Sequence, residues 1–233
     1  MFDLSPAEIT AILLSLKVAL WGMAGSLPLA MLAAWVLARC RFPGKALLDG
    51  VVHLPLILPP VVTGYVLLIL LGRRGPIGAW LFDTFGIVLA FRWTGAAVAS
   101  AVMGFPLMVQ AIRLSIETVD TRLEAAARTL GASGPWVFAT VTLPLILPGI
   151  LAGCILAYAK SLGEFGATIT FVSNIPGQTQ TLPLAIYTLT QVPGGEEGAM
   201  RLTLVSVALA LLAMVGSSLF SRTISRRLQG RDA

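Results

Sequence analysis

Lys160 and Glu164 stand four residues apart in a strongly apolar run, the spacing that sets an ammonium and a carboxylate on one face of a helix. Charges at membrane depth are costly unless paired, so a neutral Lys–Glu pair would hold helices together there. A bare carboxylate repels an anion, which makes Glu164 a structural or a gating group rather than an anion ligand. His53 is the single histidine of the chain and precedes a proline-rich run, which suits a packed or interfacial role. Cys40 lies between Arg39 and Arg41, and Cys154 lies deep in an apolar run. Without histidine partners nearby they form neither a metal site nor a disulfide. A Ser–His pair, a metal-ligand cluster on facing helices and a nucleotide loop are all missing, so no residue is assigned to catalysis or to a metal, and a membrane enzyme is disfavoured.

The elements that must position these groups are membrane helices. Of 233 residues, 57% are hydrophobic and only 12% charged, and the mean hydropathy is +0.88. A helix needs about 20 apolar residues to cross the hydrocarbon, and five blocks qualify, at 11–38, 47–71, 95–112, 145–172 and 202–220. The loops are too short for a second core, so residues 1–233 are expected to form one all-α transmembrane domain. The first block lacks the basic start and small-residue cleavage site of a signal peptide and is expected to stay as a helix. Ser5, Pro6 and Glu8 read as its N-cap, first-turn proline and capping-box partner.

Orientation follows from the basic residues. Placing 124–149 inside puts Arg39, Arg41, Lys45, Arg113, Arg122, Arg128, Arg222, Arg226, Arg227 and Arg231 in the cytoplasm, ten groups, against Arg73, Arg74, Arg92 and Arg201 outside, four. The positive-inside rule then sets the N-terminus outside and the C-terminus inside. The basic tail SRTISRRLQGR is a topology anchor; with no aromatic interleaving or reader domain, nucleic acid is not an expected partner. Residues 76–93 and 181–198 carry apolar runs too brief to span and suit interfacial or re-entrant helices.

Three further features concern packing and a path. Gly149, Gly153, Ala157 and Ser161 in the fourth block, and Gly22, Ser26, Ala30, Ala34 and Ala38 in the first, recur every four residues. Such stripes admit another helix closely, either within the chain or across a dimer. Pro55, Pro59 and Pro60 interrupt the second block. Broken backbone at membrane depth is tolerated inside protein or along a wet cavity, which makes Pro59, Pro60, Thr63 and Gly64, with Lys160, Ser161 and Glu164, candidates for a path or gate. A plain proline kink is the alternative for the first four.

The stretch EAAARTLGASGPWVFATVTLPLILPG, residues 124–149, differs from its neighbours. LEAAARTL is a strong helix segment with Glu124 and Arg128 at i, i+4, and Gly131 stands where it would stop with a positive φ. SGPWVFATV starts a second short helix behind Ser133, giving an elbow on the inner membrane surface, either a docking surface or a plain loop. This stretch resembles the signature of binding-protein-dependent ABC importer permeases, E-A-A, three residues, G, nine residues, I-x-L-P. Gly131 is followed after nine residues by Val141, Thr142, Leu143 and Pro144, with Val for Ile. Ala125, Ala126 and Ala127 hold the E-A-A positions, so Glu124 stands one residue ahead of the signature's glutamate. The resemblance implies that 122–136, within an elbow of about 120–144, is the coupling helix seated in an ATPase subunit, with Arg122, Glu124, Arg128, Leu143 and Pro144 taking part.

The runs LPLILPPVVTGYVLL (54–68) and SLGEFGATITFVSNIPGQTQTLPLAIYTL (161–189) and the short length resemble the molybdate branch of that family. Sulfate permeases share GEFG-like sequence but are generally longer. The resemblance implies two copies of an ABC importer permease fold around a central route, two cytoplasmic ATPase subunits that hold ATP and Mg, an extracytoplasmic binding protein, and placement in a bacterial inner membrane. It implies that this chain binds no cofactor of its own and moves molybdate, or alternatively tungstate or sulfate. A secondary transporter is the remaining rival; the two related halves usual in such folds are not found here.

Overall fold

The computed structural model describes residues 4–228, with the side chains of Met214 and of 216–228 outside what it describes. Helix α1 (Pro6–Arg39) opens with both halves of the expected capping box. The Ser5 amide donates to the Glu8 carboxylate at 2.6 Å and the Glu8 amide to the Ser5 hydroxyl at 3.2 Å, stabilising a helix start by about 1 kcal/mol. The second block is two helices, α2 (Lys45–Ile57) and α3 (Pro60–Leu71). They meet at 114°, far beyond a kink, because Pro59 and Pro60 together remove two donors at the break. Short α4 (Pro76–Phe85) and α10 (Leu182–Thr190) occupy the two apolar runs too brief to span. Between them lie α5 (Trp93–Thr118), the elbow helix α6 (Thr121–Thr129), α7 (Gly134–Val137), a π-helical segment (Phe138–Thr142), α8 (Leu143–Leu162) and α9 (Gly166–Val172). The last element is α11 (Glu196–Leu228).

Among the described residues three helical segments are long and apolar enough to cross a membrane, Pro6–Arg39, Trp93–Thr118 and Gly134–Leu162, or four if the bent α2/α3 pair is one span. The fifth expected block, 202–220, falls on α11; the side chains of Arg222, Arg226 and Arg227, and Arg231 altogether, lie outside the described residues. Two boundaries differ from the sequence reading. The fourth span starts at Gly134 rather than 145, since the second arm of the elbow runs without a break through the π-turn into α8. It stops at Leu162 rather than 172, where Gly163 caps α8 and the chain continues into the separate short helix α9, packed on α3 and α5.

Helix α5 is the centre of the bundle, packed along both α1 and α8. Lipid tails are as apolar as leucine, so this association rests on close van der Waals approach rather than on burial from water. A Cβ on Gly22 would lie 2.8 Å from the Ala97 carbonyl oxygen, one on Gly153 3.0 Å from that of Met108, and one on Gly104 3.1 Å from that of Ala157. Gly149 likewise meets Ser115, and the buried Ser161 hydroxyl donates to the Ser100 carbonyl at 3.3 Å. Both small-residue stripes are therefore filled by α5 of the same chain, and neither is left to face a second copy.

Candidate functional site: the elbow and the break beside α9

The elbow is built by two capping devices. The Asp120 carboxylate accepts the Arg122 amide at 2.9 Å and starts α6. At the other end Gly131 takes φ +87°, its amide donating to Arg128 O and that of Ala132 to Ala127 O, the paired bonds of a Schellman stop. Nothing lies within 4 Å of where a Gly131 Cβ would stand, so the glycine is required by backbone conformation and not by crowding. Ser133 sits at the N-cap of α7, as expected, but its hydroxyl makes no capping bond.

No residue of α6 is buried. Arg122, Leu123, Ala125, Ala126, Arg128 and Leu130 all face out, with Leu130 89% and Trp136 57% exposed. That surface mixes cations with apolar side chains, a composition suited to a protein partner. Glu124 does not belong to it. Its carboxylate Oε1 accepts from Arg39 Nη2 of α1 at 3.1 Å and from the Thr142 hydroxyl of the π-turn at 2.8 Å. The i, i+4 partner expected from sequence, Arg128, is not the residue it meets. Leu143 likewise packs on the core formed by Ala34, Leu37, Ile112 and Ile146, and Pro144 is half-buried at the head of α8. These two belong to the stem of the elbow rather than to its outer face. Trp35 and Phe138 close the same corner edge to face, with ring centroids 5.3 Å apart.

At the same end of the bundle the Asp49 carboxylate of α2 accepts from Arg113 of α5 at 3.0 Å and lies 3.3 Å from His53 Nδ1. Asp49 is the bridging group, and His53 is half-buried beside it, its Nδ1 also 2.9 Å from the Asp49 carbonyl oxygen of the same helix. Val52 is the one buried residue among those described in α2, and with the half-buried Leu48 it packs on the core, so this polar cluster and a short apolar face hold the helix.

The remaining candidates meet at the far end of α8. The Glu164 side chain is 1% exposed and accepts from Lys160 Nζ at 2.9 Å. Its other oxygen accepts from the Ala167 amide at 3.0 Å, so the carboxylate fastens the first turn of α9. Helix α9 then lies against α3. A Cβ on Gly64 would stand 2.5 Å from the Ala167 carbonyl oxygen, and one on Gly166 2.8 Å from Pro60 Cβ. Thr63 and Thr168 are buried with hydroxyls that have no hydrogen-bond partner among the described residues. Pro60, Thr63, Gly64, Lys160 and Glu164 are thereby gathered around one short helix, while Ser161 turns to α5 and Pro59 stays exposed. Sequence reasoning missed α9 itself, although Gly163 and Gly166 flanking Glu164 marked the break. It also missed the link across the far end, where Arg201 of α11 donates to Glu8 at 3.0 Å and the Leu182 amide to Ser15 at 2.6 Å.

Long apolar helices carrying an exposed elbow at one end have the build of a polytopic membrane transport subunit. The chain belongs to the family described as binding-protein-dependent transport system inner membrane component, which matches residues 26–231. It is 62% identical over 229 residues to the Molybdenum transport system permease protein ModB of Escherichia coli (strain K12), covering 98% of this chain and 99% of the relative. The protein of the same name from Haemophilus influenzae is 57% identical over 227 residues, 97% of this chain and 99% of the relative. The Sulfate transport system permease protein CysT of Escherichia coli (strain K12) is 36% identical over 200 residues, 86% of this chain and 72% of the relative. Among solved structures, a bacterial ABC transporter involved in alginate import superposes with a TM-score of 0.69 at 19% identity, covering 96% of this chain and 80% of that one. The all-helical ABC importer permease fold follows, and the chain is a transport subunit of the inner membrane.

Proposed function

We propose that the chain carries molybdate inward as the permease of an ATP-driven importer. The observation that supports this most is the near-full-length identity with molybdenum permeases, well above that with the sulfate permease. In this reading two copies surround the route, and each elbow, through Arg122, Leu123, Arg128, Leu130 and Trp136, seats in one of two cytoplasmic ATPase subunits. ATP and Mg belong to those partners. The elbow end is cytoplasmic, in keeping with Arg39, Arg41, Lys45 and Arg113 beside it. The N-terminus is outside, so the end holding Glu8 and Arg201 faces the molybdate-binding protein. The chain makes no covalent change in its cargo. Its residues supply a hinge at Pro59–Pro60, a gate region around α9 and the lever of the elbow.

The test is uptake of labelled molybdate into proteoliposomes holding this chain, its matched ATPase and its binding protein. Uptake that needs internal ATP and resists a hundredfold excess of sulfate is expected. Uptake by this chain alone, or full competition by sulfate, would refute the reading.

A further inference from the structure

We infer that Glu124 is a positioning residue of the coupling mechanism, a strut that carries movement of α6 into the bundle through Arg39 and Thr142 instead of contacting the ATPase. This rests on the proposed coupling role of the elbow. Helix α6 has no buried residue, so packing alone does not fix its orientation. Glu124 and Ala127 are its only half-buried positions, and Glu124 is the one with polar atoms to offer. Its side chain is 12% exposed, and Arg39 on the other side of the pair 21%. One oxygen receives both donors, Arg39 from the end of α1 and Thr142 from the π-turn. Thr142 is itself 1% exposed, and its neighbour Leu143 begins α8 within the core.

The offset from the family signature explains this placement. Consecutive side chains on a helix diverge by about 100°. At position 125 a carboxylate would project from the exposed face, where Ala125 now stands; one residue earlier it turns to the bundle. A push on the outer face of α6 therefore reaches α1 and α8 through one carboxylate at once.

Three variants and two readouts test the strut. In Glu124→Ala, uptake should fall about tenfold, the factor expected for loss of one charge-assisted bond, while ATPase co-purification stays within about twofold of wild type. Amide hydrogen exchange across 121–131 and 138–142 of the purified permease should rise together. The charge swap Arg39→Glu/Glu124→Arg should recover uptake. Glu124→Ala/Ala125→Glu, which moves the carboxylate to the outer face, should not. Rescue by that last variant, loss of co-purification in proportion to uptake, or unchanged exchange in Glu124→Ala would overturn the inference. The exchange readout needs neither ATPase nor substrate, so a wild type that moves no molybdate refutes the proposed cargo and leaves the strut to be judged on exchange.

Discussion

Replacing Glu164 separates its two bonds. In Glu164→Gln the amide oxygen still accepts from the Ala167 amide, now made at 3.0 Å, but the amide nitrogen faces the Lys160 ammonium, donor against donor. The pair with Lys160 is lost. Because Lys160 is 33% exposed, solvent screening limits that loss to about 1 kcal/mol. Glu164→Ala removes the same pair and also strands the amide of Ala167, a residue with no exposed surface, adding about 1–3 kcal/mol. The totals are about 1 kcal/mol for Gln and about 2–4 kcal/mol for Ala. For a chain of this size 1 kcal/mol moves a melting temperature by about 2–4 °C, so drops of roughly 3 °C and roughly 5–15 °C are expected. Unfolding of purified permease in detergent, followed by a thiol-reactive fluorophore at the half-buried Cys154, reads both. Equal drops would show that the Ala167 bond contributes nothing, and no drop in either variant would remove Glu164 from the structure of the α8–α9 turn.

Gly131→Val places a β-branched residue at φ +87°, a strain of about 1–2 kcal/mol; ATPase co-purification and uptake should fall together while membrane insertion is normal, and unchanged co-purification would make the elbow a plain loop. Gly64→Ala sets a methyl 2.5 Å from the Ala167 carbonyl oxygen, forcing α3 and α9 apart at a cost of about 1–3 kcal/mol; wild-type uptake and melting would mean the two helices separate freely. A cytoplasm-specific reporter fused after Arg227 should be active and one in the loop 194–198 silent, as the ten-to-four basic bias requires; the reverse pattern would invert the proposed orientation.

Helix existence was legible where apolar length decided it, as in α1 and α5, because the bilayer demands length and little else. The ends of the fourth span were not legible. The sequence from Ser133 reads as a second short helix separate from the span, yet it runs through the π-turn Phe138–Thr142 into α8, where Pro144, which has no amide to donate, stands in the first turn. At the other end Gly163 breaks the run beside Lys160 and Glu164; a short polar dip inside a long apolar block does not by itself end a span, since a paired charge is tolerated at membrane depth. The stripes on α1 and α8 were readable as close-packing faces, but that both pack on α5, at Ala97, Met108, Ser115 and, opposite Ala157, Gly104, was not, because spacing within one helix does not name the helix it meets. Gly131 was read correctly because its cause is local. The contact of Glu124 with Arg39 was not legible because the two are 85 positions apart, and nothing within one turn of α6 tells which side of a short amphipathic helix meets the bundle.

The central place of α5 also constrains how the protein is made. Its two glycine-lined seams, one with α1 and one with α8, close at different times, since α1 leaves the ribosome first and α8 only after the elbow. A chain stopped after α5 therefore has one seam shut and the other filled by lipid, which is as apolar as the helix it replaces. Such a chain is expected to remain in the membrane, its open seam meeting lipid rather than water.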